Sequence, residues 1–286
     1  METRVRQVLV VAVVAAVLGG CADGQPGVTP VPAPPTTGPA SPAPAAGEQR
    51  SLPVYYVADT PNGLRLHREF RSVTTTDPAS DALRAMLAAP TGTDPDYRNL
   101  WPAGTTLAAP VAVGNGVITV DLTEQALDGS GLGTPAGEAA VNQLLFTVQA
   151  ALQSSDPVRI LVEGEPVDEL WGAVSTADPI PRPDQYAVRS LVQIDSPAHG
   201  ATVGTEVQVT GEAAAFEATV PWEVLRDGEV VRSGFAMAAE GQRFSRFTFT
   251  VTLEPGDYVV RVTEDDPSGG EGRPPFTDDK AITVTG

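Results

Sequence analysis

Val117-Ile118-Thr119-Val120-Asp121-Leu122, then Thr134-Pro135, then Val158-Arg159-Ile160-Leu161-Val162 organise the first half of the chain. The outer two runs are short, apolar and rich in β-branched residues, which is the pattern of buried strands. Between them Val141, Leu144, Leu145, Val148 and Leu152 recur at helical spacing, and Pro135 suits a first helical turn. The stretch therefore predicts strand, helix, strand. Working outward, 107–113 and 117–122 form a predicted hairpin across Gly114-Asn115-Gly116. Ala79, Ala82, Leu83, Met86 and Leu87 mark one face of an earlier helix that opens at Asp77-Pro78 and stops at Pro90. Leu52-Pro53-Val54-Tyr55-Tyr56-Val57 and the run Leu64, Leu66, Arg68, Phe70, Val73 are two more strands around the turn Pro61-Asn62-Gly63. The order β-β-α-β-β-α-β predicts an α+β domain over 51–183, a sheet with two helices on one face.

Pro179, Pro181 and Pro183 close that segment. Beyond them strand-like runs recur at 191–194, 207–211, 218–225, 230–233, 244–253, 258–262 and 281–284. Asp227-Gly228 is a two-residue hairpin signal, Glu254-Pro255-Gly256-Asp257 is another turn, and Phe247, Phe249 and Val251 share one strand face. Residues 187–286 thus predict an all-β sandwich of immunoglobulin type.

The first fifty residues differ in kind. Arg4 and Arg6 precede an unbroken apolar run at 8–18, followed by Leu18-Gly19-Gly20-Cys21. The run is shorter than the ~20 residues a membrane-spanning helix needs, so it reads as a secretory signal peptide over 1–20. The chain's one cysteine excludes an internal disulfide framework and a Cys-based zinc or iron–sulfur site. Residues 22–50 hold eight prolines and almost no large apolar side chain, the composition of a disordered linker. As polyproline II this stalk would reach about 90 Å.

The formal net charge is −18, and the two folded segments carry it: −10 over 51–180 and −8 over 181–286. Nucleic-acid binding is excluded on that ground, since phosphate contact needs clustered Lys and Arg. Of the 18 basic residues only Lys280 is a lysine, a skew that reads as a GC-rich genome.

Three resemblances follow from these residues. Leu18-Gly19-Gly20-Cys21 resembles a bacterial lipobox, which implies cleavage before Cys21 and lipidation of that residue, palmitate included. Val54-Tyr55-Tyr56-Val57, the helix before Ala89-Pro90, Trp101-Pro102-Ala103-Gly104-Thr105, Val117-Ile118-Thr119-Val120-Asp121-Leu122 and the 158–164 strand resemble the GerMN (sporulation and spore germination) domain. Pro102-Ala103-Gly104-Thr105 is expected to start its third strand. Ser196-Pro197-Ala198-His199-Gly200, Val209-Thr210-Gly211, Phe216-Glu217-Ala218-Thr219-Val220 and Gly256-Asp257-Tyr258 resemble the immunoglobulin-like domain of bacterial spore germination (Gmad type). The resemblance implies a non-catalytic protein.

Chemistry-bearing motifs are few. His67 and His199 are the two histidines, one in a strand and one in a turn, without the clustered ligands or HExxH of a zinc site. Asp94-Pro95-Asp96 and Glu264-Asp265-Asp266 could ligate calcium, but neither meets the EF-hand pattern. Gly129-Ser130-Gly131-Leu132-Gly133 lacks the Gly-Lys-Ser/Thr of a phosphate loop and reads as a connector. Trp101 and Trp222 are either exposed binding aromatics or core packing. Scattered acids read as a solvated face, although a carboxylate pair for glycoside hydrolysis stays open. No catalytic residue, cofactor or metal is expected.

The expectation is an envelope lipoprotein anchored through Cys21 to the outer face of the cytoplasmic membrane. It binds or scaffolds a sporulation- or germination-type assembly and has an envelope protein, or peptidoglycan, as partner. A cell-wall glycan binder and an envelope hydrolase are the alternatives. Cleavage before Cys21 would leave a mature chain of −19, and the stalk would let acidic domains stand away from an anionic membrane.

Overall fold

The computed structural model describes residues 47–129, 131–266, 268 and 271–286. The signal, Cys21, most of the linker and Ser130 lie outside them. The first two strands, β1 (Glu48–Thr60) and β2 (Gly63–Thr75), pair antiparallel along their full lengths around Pro61-Asn62. β1 begins at Glu48, inside the segment that composition assigned to the linker. Its residues are buried on both faces: Val54, Tyr56 and Ala58 join the main core of the domain, while Tyr55 and Val57 pack with Leu66 and Phe146.

Helix α1 (Pro78–Leu87) starts as its sequence requires. Asp77 caps it by accepting from the Ser80 amide, and Ala79, Ala82, Leu83 and Met86 are buried. Strands β3 (Ala112–Gly114) and β4 (Val117–Leu122) form the expected hairpin, but β3 is half the predicted length. Pro110 removes a ladder donor, so upstream only Leu107 bridges to Leu122. Helix α2 (Thr134–Leu152) follows and carries the chain over to β5 (Val158–Val162), which lies parallel to β4. Short pieces complete the domain: β6 (Glu165–Pro166), β7 (Glu169–Leu170), β8 (Val174–Ser175) and α3 (Gln185–Val188).

The expected single sheet is in fact split. β1–β2 stands as a two-stranded ribbon, and β3-β4-β5-β6 forms a separate four-stranded sheet. The loop after α1 explains the split. It runs beside β1, where Val57 and Arg98 exchange both backbone hydrogen bonds at 2.8 Å. Pro90, Pro95, Pro102 and Pro110 keep that loop from becoming a strand. Pro102-Ala103-Gly104-Thr105 is likewise a turn and not the start of a strand. The Thr105 amide and hydroxyl both donate to the Pro102 carbonyl, and Gly104 has φ +87°.

The second domain is a sandwich. One sheet has the order β10-β16-β15-β12-β13 and the other β14-β11-β9. The strands are β9 (Val192–Ser196), β10 (Ala201–Val203), β11 (Glu206–Ala213), β12 (Thr219–Arg226), β13 (Glu229–Met237), β14 (Ser245–Thr252), β15 (Gly256–Thr263) and β16 (Thr277–Val284). All seven predicted strands are present, with β10 added. Asp227 (φ +53°) and Gly228 (φ +83°) make the tight β12–β13 turn. Gly211 is fixed by a close approach: a Cβ there would stand 2.1 Å from the Gln193 carbonyl oxygen. The two domains together form one compact unit. The described chain is mostly β.

Candidate functional site

Two clusters of charged side chains lie where the domains meet. β2 offers His67 and Arg68, and the loop after α1 offers Asp94 and Tyr97. From the second domain come Asp195 on β9, Glu212 on β11, and Asp278 and Lys280 on β16. The first cluster centres on Lys280, the chain's only lysine, at 3% exposure. Its ammonium donates to Asp94 Oδ2 at 2.7 Å, to Asp278 Oδ1 at 2.9 Å and to the Tyr97 hydroxyl at 2.6 Å. Three protons meet three acceptors, so the buried charge is fully satisfied. Tyr97 donates its own proton to Asp278 Oδ1 at 2.7 Å. His67 Nδ1 lies 3.0 Å from the same hydroxyl and must therefore be the donor in that bond. Asp278 Oδ2 accepts from the Ile194 amide at 2.6 Å.

Electrostatics follow from burial opposed by pairing. Burial alone would raise the Asp278 carboxyl, but the Lys280 ammonium overrides it and holds the group below its ordinary value. Burial would likewise lower Lys280, and Asp278 and Asp94 together raise it. For His67 burial outweighs the opposing pull of Asp278 and Asp94. Burial pulls its imidazole down to about 4, so it is neutral at pH 7. Tyr97 is pushed well above its usual range by burial and by Asp278.

The second cluster is a guanidinium–carboxylate chain. Arg68 binds Asp195 in bidentate fashion, at 2.9 and 2.7 Å, and reaches Glu212 at 3.1 Å. Arg189, just after α3, also binds Glu212 and lies over the Phe244 ring. Burial would raise Glu212, and the two arginines hold it low instead.

The residues singled out in the sequence are otherwise spent on structure. Asp94 is a Lys280 partner, and its other oxygen accepts from the Asp96 amide. Glu264 is tied to Arg273 by two contacts of 2.7 Å. His199 sits 3.6 Å from Asp94. Among the described residues no group of three or more His, Cys, Asp or Glu is placed to hold a metal. Trp101 is core: it is 4% exposed and donates to the Ala140 carbonyl at 2.8 Å. Trp222 is partly buried and stacks on Phe249 with centroids 4.6 Å apart. Asp121, in the 117–122 strand, accepts from the Gly164 amide and so ties two strand ends together. Gly133 precedes α2 directly as its N-cap.

Composition and motif reading pass over the junction, yet one signal was present. In Thr277-Asp278-Asp279-Lys280-Ala281-Ile282-Thr283-Val284 a period of two places Asp278 and Lys280 on the same face as Ile282 and Val284. A lone lysine on the buried side of a strand requires a counter-charge.

Residues 53–168 match the family described as "Sporulation and spore germination", and residues 191–271 match the "Immunoglobulin-like domain of bacterial spore germination". The two folded domains belong to these families. The GerMN domain comes first and the germination-type immunoglobulin-like domain second. Among solved structures, the tandem GerMN domains of the sporulation protein GerM from Bacillus subtilis align at 16% identity and TM-score 0.38, over 53% of this chain and 50% of that one. This chain thus spans about half of the GerM structure. A Clostridium perfringens protein assigned as a lipoprotein aligns at 15% identity and TM-score 0.34, over 49% of this chain and 93% of its own. No curated protein matches the chain. Both families are associated with sporulation and germination. Among the described residues no helix is long and apolar enough to cross a membrane.

Proposed function

We propose that the protein is a non-catalytic envelope lipoprotein whose GerMN and immunoglobulin-like domains act together as one binding unit, held to the outer face of the cytoplasmic membrane by lipid on Cys21. The observation that carries this reading is the junction itself. Lys280 pairs with Asp94, and Arg68 with Asp195 and Glu212, across the domain boundary, which suits a rigid scaffold. Tethering would raise the effective concentration of both domains near envelope partners. The partner is a protein of a sporulation- or germination-type assembly. Crosslinking of the full chain in its native envelope, followed by identification of the adducts, tests this. A recurrent envelope protein supports the reading, and retention on purified peptidoglycan without a protein adduct replaces it with glycan binding. A Cys21→Ala chain is expected to leave the membrane fraction; if it stays, lipid on Cys21 is not the anchor.

A further inference from the structure

β13 is the last strand of its sheet. β12 pairs along one side, and among the described residues no strand runs along the other; one bridge, from Ala238 to Phe247, lies just past its end. Residues 229–235 are all exposed. Val230, Val231, Phe235 and Met237 are 49%, 36%, 69% and 56% exposed, a dense apolar row for one edge. Edge strands usually carry charge, proline or a bulge that blocks pairing. The N-terminal part of β13 has such protection. The register shifts beside Val224 and Leu225, and Arg232 donates to the Val231 carbonyl at 2.8 Å. Residues 232–237 have none: their register with β12 is regular, and Arg232 is their only charged residue.

The charge around this edge is also unlike the rest of the chain. Residues 219–246 carry four acids (Glu223, Asp227, Glu229, Glu240) and four arginines (226, 232, 243, 246), a net of zero in a chain of −18. Two copies would repel each other across most of their surface, and here they would not. The same neutrality offers no electrostatic steering to a strongly charged partner.

We propose that β13 pairs antiparallel with β13 of a second copy about a two-fold axis, joining two five-stranded sheets into one. A two-fold normal to the sheet keeps Phe235 and Met237 of both copies on the same face, where they cover each other. Centred on Gly234, the pairing sets Arg232 of one copy opposite Ala236 of the other, so no like charges meet, and it stops short of Ala238, which bridges to Phe247. One strand edge is a small interface, and the dimer is weak, on the order of micromolar.

The interface stands apart from the envelope-binding reading, and its test does not use an envelope partner. Hydrogen exchange of the full chain in detergent solution, followed at rising protein concentration, reads the β13 amides directly. Protection of 232–237 should rise with concentration, and Phe235→Arg should shift that dependence to at least about tenfold higher concentration. At concentrations well below micromolar, where wild type is monomeric, its melting temperature should match wild type, because the side chain is exposed. Exchange that ignores concentration overturns the proposal, as does a Phe235→Arg, Met237→Arg chain that gains protection as wild type does.

Discussion

Replacing Lys280 by methionine removes one buried charge and leaves two. In the native protein the ammonium is 97% shielded and satisfies Asp94, Asp278 and Tyr97 together. Methionine fills similar space, so the loss is electrostatic rather than a cavity. Removing one partner of a buried ion pair costs about 3–5 kcal/mol, since the remaining charge is uncompensated. For a body of this size each kcal/mol lowers Tm by about 2–4 °C, so the variant should melt about 6–20 °C lower. The pH response should also invert. In wild type the depressed Asp278 carboxyl contributes stability above the unfolded value of 3.8, and that contribution fades as pH falls through its lower folded value. Without Lys280, burial dominates and the carboxyl rises above the unfolded value. The variant should then gain stability relative to wild type as pH drops from neutral towards 5. Asp278→Asn in the same chain should restore part of the loss. Calorimetry of the full chain across this pH range reads all three effects. A Tm within 2 °C of wild type, with unchanged pH slope, would refute the role given to Lys280.

Other perturbations probe separate parts of the junction. Arg68→Ala leaves Asp195 and Glu212 partly buried without their shared cation and should cost about 2–3 kcal/mol after allowance for solvent screening, measurable by urea denaturation. His67, held at about 4 against 6.5 unfolded, should make stability fall by about 3 kcal/mol as pH drops from 6.5 to 4, because only the unfolded chain takes up the proton; His67→Gln should flatten that slope in the same titration. Gly211→Ala places a methyl group 2.1 Å from the Gln193 carbonyl oxygen and 2.4 Å from Phe247 Cζ, so β11 must separate from β9; exchange of the β9 amides should quicken by more than tenfold.

Local pattern accounts for what was legible beforehand. The helix faces of α1 and α2, the Asp227-Gly228 turn and the seven sandwich strands all follow from periodicity and turn chemistry within a few residues. The split of the first sheet was not legible in that way. It depends on a proline-rich loop that folds back to pair with Val57, a contact across 41 residues of sequence from Arg98. The junction was hidden for the same reason. Asp94 and Lys280 are 186 residues apart, and Arg68 and Asp195 are 127 apart, so no window of sequence holds both partners. Trp101 could be read as a surface aromatic or as core until Ala140 was seen to accept its indole proton. Lys280 was different. Its place on the Ile282–Val284 face of β16 is readable from the period of two, but the partners that satisfy it there lie elsewhere in the chain or on its own strand and carry no local pattern.

A buried polar junction makes the GerMN and immunoglobulin-like domains one body. Backbone ¹⁵N relaxation of the full chain tests it most directly, because each domain reports its own tumbling. Both domains should show one rotational correlation time, resolved into two when Lys280 and Arg68 are replaced together. Distinct correlation times in the unmodified protein would contradict it.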